Sequence, residues 1–441
     1  MVQHKKVESL DDWRRTHYST QIGPDLDGKE VTIFGWAERI RDLGGIKFII
    51  LRDSHGHVQI TVPETNEIVS DKAKFIGKED VIGVKGVVKE MDKAPGGAEI
   101  IPNQLKLLNT AVSPLPLELT GKVEAELDTR LNARILDLRR PRPYAFFRLR
   151  HGVSRYTREF LIDQGFLEIH TPKIISSATE GGTELFPVAY FEDEAFLAQS
   201  PQLYKEVLTA VFEKVFEIAP VFRAEESSTT RHLAELIMID IEQAFATADD
   251  IMKISEELIA YVMKETIENH KNELKTLKSK ITPPSTPFPR YTYDKILEIL
   301  SEKGIKISWG ADLHTQAIRT LGEIFPGPYF ITDWPISEKP FYIAPKEDNP
   351  KLAEGFDLMY GWLELASGGT RVHNKSLLIQ RLEEKGLNPS SFEFHLKAFD
   401  WGMPPHAGCG IGLARTLMVL TGAQNIREVV LFPRDRHRLT P

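Results

Sequence analysis

Between about residues 20 and 110 the apolar residues come in short β-branched runs, and this rhythm narrows the possible folds more than any other feature. The runs are Val31–Trp36, Ile46–Leu51, Val58–Val62 and Val81–Val88, with glycine and charged turns between them at regular intervals. β-Branched and aromatic side chains suit a pleated surface. Regular short strands without intervening helical patterns indicate a small closed β-barrel and not βαβ units. Residues 111–130 then hold Ser113-Pro-Leu-Pro116 and an acidic stretch. Two prolines in four residues suit a semi-rigid connector. The expected organisation is a barrel over 1–110, a linker over 111–135 and a second domain over 136–441, with a small insertion around 265–345.

The pattern changes after Arg130. Phe146, Leu149, Val153, Tyr156 and Phe160 recur at helical spacing, and Gly165 follows as a stop. Strand-like runs return at 214–220 and 238–245. Asp249 and Asp250 are placed to cap a long helix carrying Ile251, Ile254, Leu258 and Val262 on one face. Thr282–Pro289 reads as a proline-rich loop. This mixture predicts an α+β domain, an antiparallel sheet flanked by helices.

Composition removes several classes of function. The 441 residues are 41% hydrophobic, enough for two cored domains. The net charge of −8 gives no basic whole-molecule field. A local patch remains: nine arginines between Arg130 and Arg158 face one acid, Asp137. Its plainest reading is a solvated helix face with internal ion pairs. Cys409 is the single cysteine, so an intrachain disulfide and thiolate metal sites are excluded. The polar N-terminus lacks a signal-peptide core, and no run of 18 apolar residues could span a membrane. The expectation is a soluble cytoplasmic protein.

Three stretches carry chemistry. Gly165-Phe-Leu-Glu-Ile-His-Thr-Pro172 follows the arginine-rich helix. Phe222–Leu233 delivers Arg223 and Glu225 before a polar loop and Arg231-His232 after it, and the next strand carries Asp240 and Glu242. Cations at both ends of such a hairpin loop can bracket a polyphosphate, because guanidinium forks match phosphate oxygens. Gly408-Cys-Gly-Ile-Gly-Leu-Ala-Arg415 opens an apolar helix. Its glycines permit close backbone approach, and a helix start with an added arginine favours an anion. The glycine order matches neither a Rossmann fingerprint nor a P-loop.

In this order the three stretches resemble the signature motifs of class II aminoacyl-tRNA synthetases. The N-terminal barrel is then similar to the OB-fold of the subgroup that charges aspartate, asparagine or lysine. The chain looks closest to aspartyl-tRNA synthetases of the archaeal kind. The resemblance covers roughly residues 20–441. It implies ATP-dependent aminoacylation of tRNA, magnesium as the metal and a homodimer built on the first motif. Arg223 and Arg415 become the catalytic cations. Arg223, Glu225, Arg231, His232, Glu364 and Arg415 become the ATP contacts. Asp357, Glu364 and Ser367 become the magnesium ligands, Glu364 leading.

For the amino acid, the resemblance places Lys205 and Arg371 on the side-chain carboxylate. Glu180, Gln202, Ser367 and Asp240 are the candidates for the α-amino group, Glu180 within a glycine-hinged mobile loop. A cation separates aspartate from isosteric asparagine, because a neutral amide forfeits the charge-assisted bonds. Lys205 and Arg371 therefore argue against asparagine- and lysine-charging relatives. The retained barrel argues against paralogues that work without tRNA, and intact Arg223, Glu364 and Arg415 argue against a catalytically dead fold. In the barrel, Arg41, Phe48 and Gln59 match anticodon-reading positions, with Phe48 stacking on the central base and Gln59 bonding its edge. Pro95, in Lys93-Ala-Pro-Gly-Gly97, resembles enzymes that serve both tRNA(Asp) and tRNA(Asn), whereas Glu38 fits neither pattern. Two departures stand out. Leu236-Ile237 is aliphatic where many relatives carry an aromatic residue, and Ala414 stands where many carry an acid.

Overall fold

The structure is a computed structural model that describes residues 6–121, 123–176, 185–225 and 229–441. The chain divides into two units, one ending at Glu118 and the other beginning at Leu119.

In the first unit the β-branched runs form β1 (Glu30–Asp42), β2 (Ile46–Arg52), β3 (His57–Pro63), β4 (Val81–Glu90) and β5 (Ala98–Asn109), with α1 (Glu67–Lys74) between β3 and β4. They close in the order β1-β2-β3-β5-β4, with β4 returning to β1. Alternation sets the two faces. Ile49, Leu51, Val58, Ile60 and Val62 are buried in the barrel, while Phe48, Ile50 and Gln59 alternate with them and are partly exposed. Each buried aliphatic side chain contributes about 1.5–3 kcal/mol.

The second unit opens with α2 (Leu127–Asn132), α3 (Arg134–Asp137) and α4 (Pro141–Asp163). The helix expected around Phe146–Phe160 is α4, and those five side chains lie in the core. Its stop is a Schellman turn. Gly165, at φ +81°, donates to Ile162 O, and Phe166 N donates to Leu161 O, both at 2.9 Å. The arginine patch corrects the solvated-face reading. Arg130, Arg134 and Arg140 converge on the fully buried Asp137 at 3.0, 2.7 and 3.3 Å, so this cluster is structural. Arg155 and Arg158 keep the surface pairings with Glu159 and Glu168.

The remaining strands are β6 (Leu167–Glu168), β7 (Ile174–Ile175), β8 (Pro187–Tyr190), β9 (Asp193–Leu197), β10 (Lys214–Phe222), β11 (Glu235–Ala244), β12 (Arg290–Thr292), β13 (Pro328–Thr332), β14 (Gly355–Tyr360), β15 (Leu363–Thr370) and β16 (His406–Gly412). The helices are α5 (Gln202–Phe212), α6 (Ala248–Asn269), α7 (Lys271–Leu277), α8 (Tyr293–Glu302), α9 (Thr315–Ile324), α10 (Lys375–Glu384), α11 (Glu393–Asp400) and α12 (Leu413–Thr421). Eight strands make one sheet in the order β12-β13-β14-β15-β16-β11-β10-β6. It is antiparallel through the middle and parallel at both edges, where β12 meets β13 and β6 meets β10. The fold is therefore the expected α+β, but the sheet is mixed. Residues 290–332, within the expected insertion, supply β12 and β13 to that same sheet.

Helices α4, α6 and α12 cover one face of the sheet and close its core with Phe146, Leu149, Leu258, Val262 and Leu417. The N-cap of α6 is Thr247, and Asp250 closes its capping box while Asp249 takes no part. Thr247 N and Oγ1 both donate to Asp250 Oδ2, at 2.8 and 3.0 Å, while Asp249 pairs with Arg290. Among the described residues no helix is long and apolar enough to cross a membrane.

Candidate active site

The other face of the sheet holds a cavity of about 340 Å³. Its wall brings together Gln202, Arg223, Glu225, Arg231, His232, Asp240, Glu364, Ser367, Arg371 and Arg415, residues scattered over two hundred positions of sequence. Glu180 lies outside the described residues. Lys205 and Asp357 are close by but do not line the wall.

One end of the cavity is cationic. β10 and β11 pair up to Phe222 and Glu235, and Arg223 N still reaches Ala234 O at 2.9 Å, so Arg223 leaves the ladder in a fixed direction. Arg231 stacks over Trp362, 5.3 Å from the ring centre. His232 Nδ1 lies 2.7 Å from Thr229 Oγ1 and 3.7 Å from Glu225. Burial first, then Arg415, Arg231 and Arg223, push His232 down to about 4, so its ring is neutral at pH 7. Arg415 donates to Glu364 O at 2.9 Å and lies 3.6 Å from its carboxylate.

The other end is a buried charge cluster in which both cations have acidic partners. Asp240 and Glu242, two apart on β11, share a face. Lys205 Nζ lies 3.0 Å from Asp240 and 3.3 Å from Glu242, beneath the wall and not in it. Glu242 also takes Nε and Nη2 of Arg371 at 2.8 and 3.1 Å. Two cations thus face two acids, all at most 5% exposed. Bare cations at this depth would carry an unsupported desolvation cost. Burial works against the charge of Lys205, and Asp240 and Glu242 more than offset it, holding the ammonium above its ordinary value. Glu242 engages only Nε and Nη2, so the bonds to Glu242 do not use all five donors of the Arg371 guanidinium, and Arg371 lines the cavity.

Glycine shapes this cluster in a way the turn argument missed. Gly408 and Gly410 lie inside β16 and not at the passage to α12. A Cβ on Gly408 would stand 2.1 Å from Glu242 Oε2 and 2.3 Å from Ile241 O. Glu242 fits because its neighbour has no side chain. Cys409 between them is inert, its thiol pushed up to about 11, chiefly by burial.

The metal candidates also separate. Glu364 and Ser367 are three apart on β15, a spacing that should put them on opposite faces. A β-bulge resolves this. Leu358 pairs with Ala366 and Met359 with Glu364, leaving Leu365 as the extra residue. Leu365 and Ala366 are both buried, and Glu364 and Ser367 both open to the cavity. A carboxylate and a hydroxyl fit magnesium, which takes few protein oxygens and completes its shell from phosphate and water. No cluster of three or more His, Cys, Asp or Glu side chains suited to a metal occurs among the described residues. Asp357 stands apart from this pair, both its oxygens accepting from Lys339 Nζ at 2.8 and 2.9 Å. Lys339, which sequence reasoning did not select, lines the cavity, as do the apolar Leu236, Ile237 and Ile426.

In the barrel, Arg41 pairs with Phe48, Phe48 with Thr61, and Ile50 with Gln59 across β1, β2 and β3. Arg41, Phe48, Ile50 and Gln59 share one partly exposed patch, with Thr61 buried beneath it. Gln59 Nε2 and Thr61 Oγ1 donate to Glu99 at 2.8 and 2.6 Å, adding an unselected carboxylate to the patch. Glu38 is held by His57 at 2.7 Å. Pro95–Gly97 is a tight 3₁₀ turn with Gly96 and Gly97 at φ +76°.

A cavity on a mixed sheet with a cationic end suited to polyphosphate and a charge-balanced polar end, in a chain that also carries a β-barrel unit, fits an ATP-dependent ligase that handles nucleic acid. Residues 126–436 match the family described as tRNA synthetases class II (D, K and N), and the chain belongs to it. Residues 31–108 match the OB-fold nucleic acid binding domain. The chain is 54% identical to an aspartate–tRNA(Asp/Asn) ligase of Archaeoglobus fulgidus, over 96% of this chain and 99% of that protein. It is 51% identical to an aspartate–tRNA(Asp) ligase of Pyrococcus abyssi, over 97% and 100%. Among solved structures, the asparaginyl-tRNA synthetase of Pyrococcus horikoshii with asparaginyl-adenylate superposes with a TM-score of 0.92 at 34% identity, over 97% of this chain and 100% of that one.

Proposed function

We propose that the chain is an aspartate–tRNA ligase that forms aspartyl-adenylate from ATP and then transfers aspartate to the 3′ end of tRNA(Asp) and also of tRNA(Asn). The observation that carries the amino-acid choice is Arg371. It lines the cavity as a buried cation, and the Glu242 bonds take only Nε and Nη2 of its guanidinium, so it can also meet a substrate carboxylate. The likeness to an asparaginyl enzyme fixes the fold but not this choice, which lies in side chains. The tRNA range follows from Pro95 and from relatives named for both tRNAs.

In this reading Gln202, Ser367 and Asp240 receive the α-ammonium, together with Glu180. Arg371 binds the side-chain carboxylate, and Lys205 supports it from below through Asp240 and Glu242. Arg223 holds the α-phosphate, and Arg231, His232 and Arg415 hold the β- and γ-phosphates. Glu225 faces the adenine or the tRNA end. Glu364 and Ser367 would hold magnesium, which neutralises phosphate charge as pyrophosphate leaves; Lys339 takes up the charge of Asp357. A carboxylate is already a competent nucleophile, so the α-carboxylate attacks the α-phosphorus without a protein base. Catalysis is positioning and charge neutralisation. The first motif supplies a homodimer contact.

The direct test is amino-acid-dependent ATP–pyrophosphate exchange. Aspartate supports it; exchange with asparagine or lysine instead overturns the assignment. Charging purified tRNA(Asp) and tRNA(Asn) in parallel with labelled aspartate decides the tRNA range.

Two further outcomes follow. Phe48→Ala raises the KM for tRNA roughly 5- to 150-fold, since base stacking on an aromatic ring is worth about 1–3 kcal/mol. It leaves exchange unchanged, and a parallel loss of exchange would refute a pure anticodon role. His232 gives a pH dependence. Bound phosphates raise its pKa above the value of about 4 in the free site, so ATP binding takes up a proton between that value and the bound one. ATP affinity therefore falls as pH rises through this interval. Calorimetry in buffers of different ionisation enthalpy reads the uptake, and His232→Asn abolishes it.

A further inference from the structure

Gln202, the first residue of α5, lines the cavity and is nearly buried. One turn on, Glu206 lies on the same helix face with no exposed surface. Glu206 Oε1 accepts from Gln202 Nε2 at 2.5 Å. Its Oε2 is 3.2 Å from His395 Nε2 on α11 and 3.6 Å from His406 Nε2 at the start of β16. Both rings are as buried as the acid.

The protons in this cluster follow from what each atom can do. His406 Nδ1 lies 2.8 Å from Pro404 O, and a carbonyl can only accept. Nδ1 therefore carries a proton. Nε2 would then turn a lone pair toward Glu206 unless a second proton lies between them. Whether that proton rests on His406 or on Glu206 Oε2, Oε1 remains an acceptor. Burial opposes charge on Glu206; His406, His395 and Arg371 outweigh it and hold the carboxyl below its usual range. An acceptor at Oε1 leaves Gln202 one choice. Its NH₂ group turns inward, and its carbonyl oxygen turns to the cavity. The same cluster reaches the other end of the amino-acid site, since Arg371 N donates to His406 O at 2.9 Å.

We propose that Glu206, backed by His395 and His406, is a positioning residue that presents the Gln202 carbonyl oxygen to the α-ammonium of the amino-acid substrate. The inference rests on the reading of this cavity as an aspartate site. Glu206 touches no substrate atom and acts only through the orientation of one amide.

The test compares aspartate with succinate, which keeps both carboxylates and lacks the ammonium. Exchange kinetics give the KM for aspartate and the inhibition constant for succinate. Glu206→Met is close in shape and removes the acceptor. It raises the aspartate KM roughly 10- to 100-fold, the worth of a hydrogen bond to a charged group, and leaves the succinate constant and the ATP KM unchanged. Glu206→Gln retains wild-type discrimination, because its amide oxygen can accept from Gln202 while its NH₂ donates to a neutral His406. Equal losses for aspartate and succinate in Glu206→Met would show a merely structural role and overturn the proposal. So would loss of discrimination in Glu206→Gln, which decides the matter alone if the Met variant does not fold. If wild-type protein uses asparagine and not aspartate, the substrate reading fails, and the same variants are measured with asparagine against succinamate.

Discussion

Arg223→Ala lowers the rate of adenylate formation roughly 10²–10³-fold and leaves the KM for aspartate nearly unchanged. The figure corresponds to the ~3–4 kcal/mol lost when one preorganised donor is removed from developing charge. The backbone around Arg223 is held by the last rung of the β10–β11 hairpin, Arg223 N to Ala234 O, so the variant loses the guanidinium and not the hairpin. Single-turnover pyrophosphate release reads the chemical step. A near-normal rate would remove Arg223 from the α-phosphate.

Glu242→Ala has the larger effect on the folded state. It strips the shared partner from Arg371 and one of two acids from Lys205, leaving buried positive charge uncompensated. Breaking a buried pair in this way costs about 3–5 kcal/mol. Denaturant unfolding should show that loss, and exchange should fall below detection. Glu242→Gln keeps the shape and loses the charge. Its stability should lie between the two, because an amide oxygen can still accept from Arg371 but leaves one positive charge unbalanced. Wild-type stability in the alanine variant would mean that the cluster is solvated in solution.

Much of this was legible in the sequence. Short β-rich runs between regular turns gave the barrel, and Phe146–Phe160 gave α4. The hairpin residues Arg223 and His232, and Arg415 beyond the glycines, fall on one cavity wall as their motifs implied. Pairings across the sheet were not legible. Glu242 was read as one acid on a strand, yet it anchors Arg371 from 129 positions away. Asp357 was read with Glu364 because the two resemble the family's acidic pair, and nothing local announces that Lys339 holds Asp357. Glu206 carries no local signal, because its histidines come from α11 and β16. Local pattern reports which face a side chain takes; it does not report what waits there.

The bulge at Leu365 has a consequence for how this site can change. Past it, Ser367 and Arg371 ride on the same ladder, fixed to β16 through Ser367–Gly410 and Gly368–Cys409 pairings. Removing the extra residue would invert the side-chain phase of one part of the strand relative to the other. Glu364, Ser367 and Arg371 are therefore inherited together. Single substitutions can retune either end of the cavity, but a one-residue deletion in β15 breaks the phase that joins them.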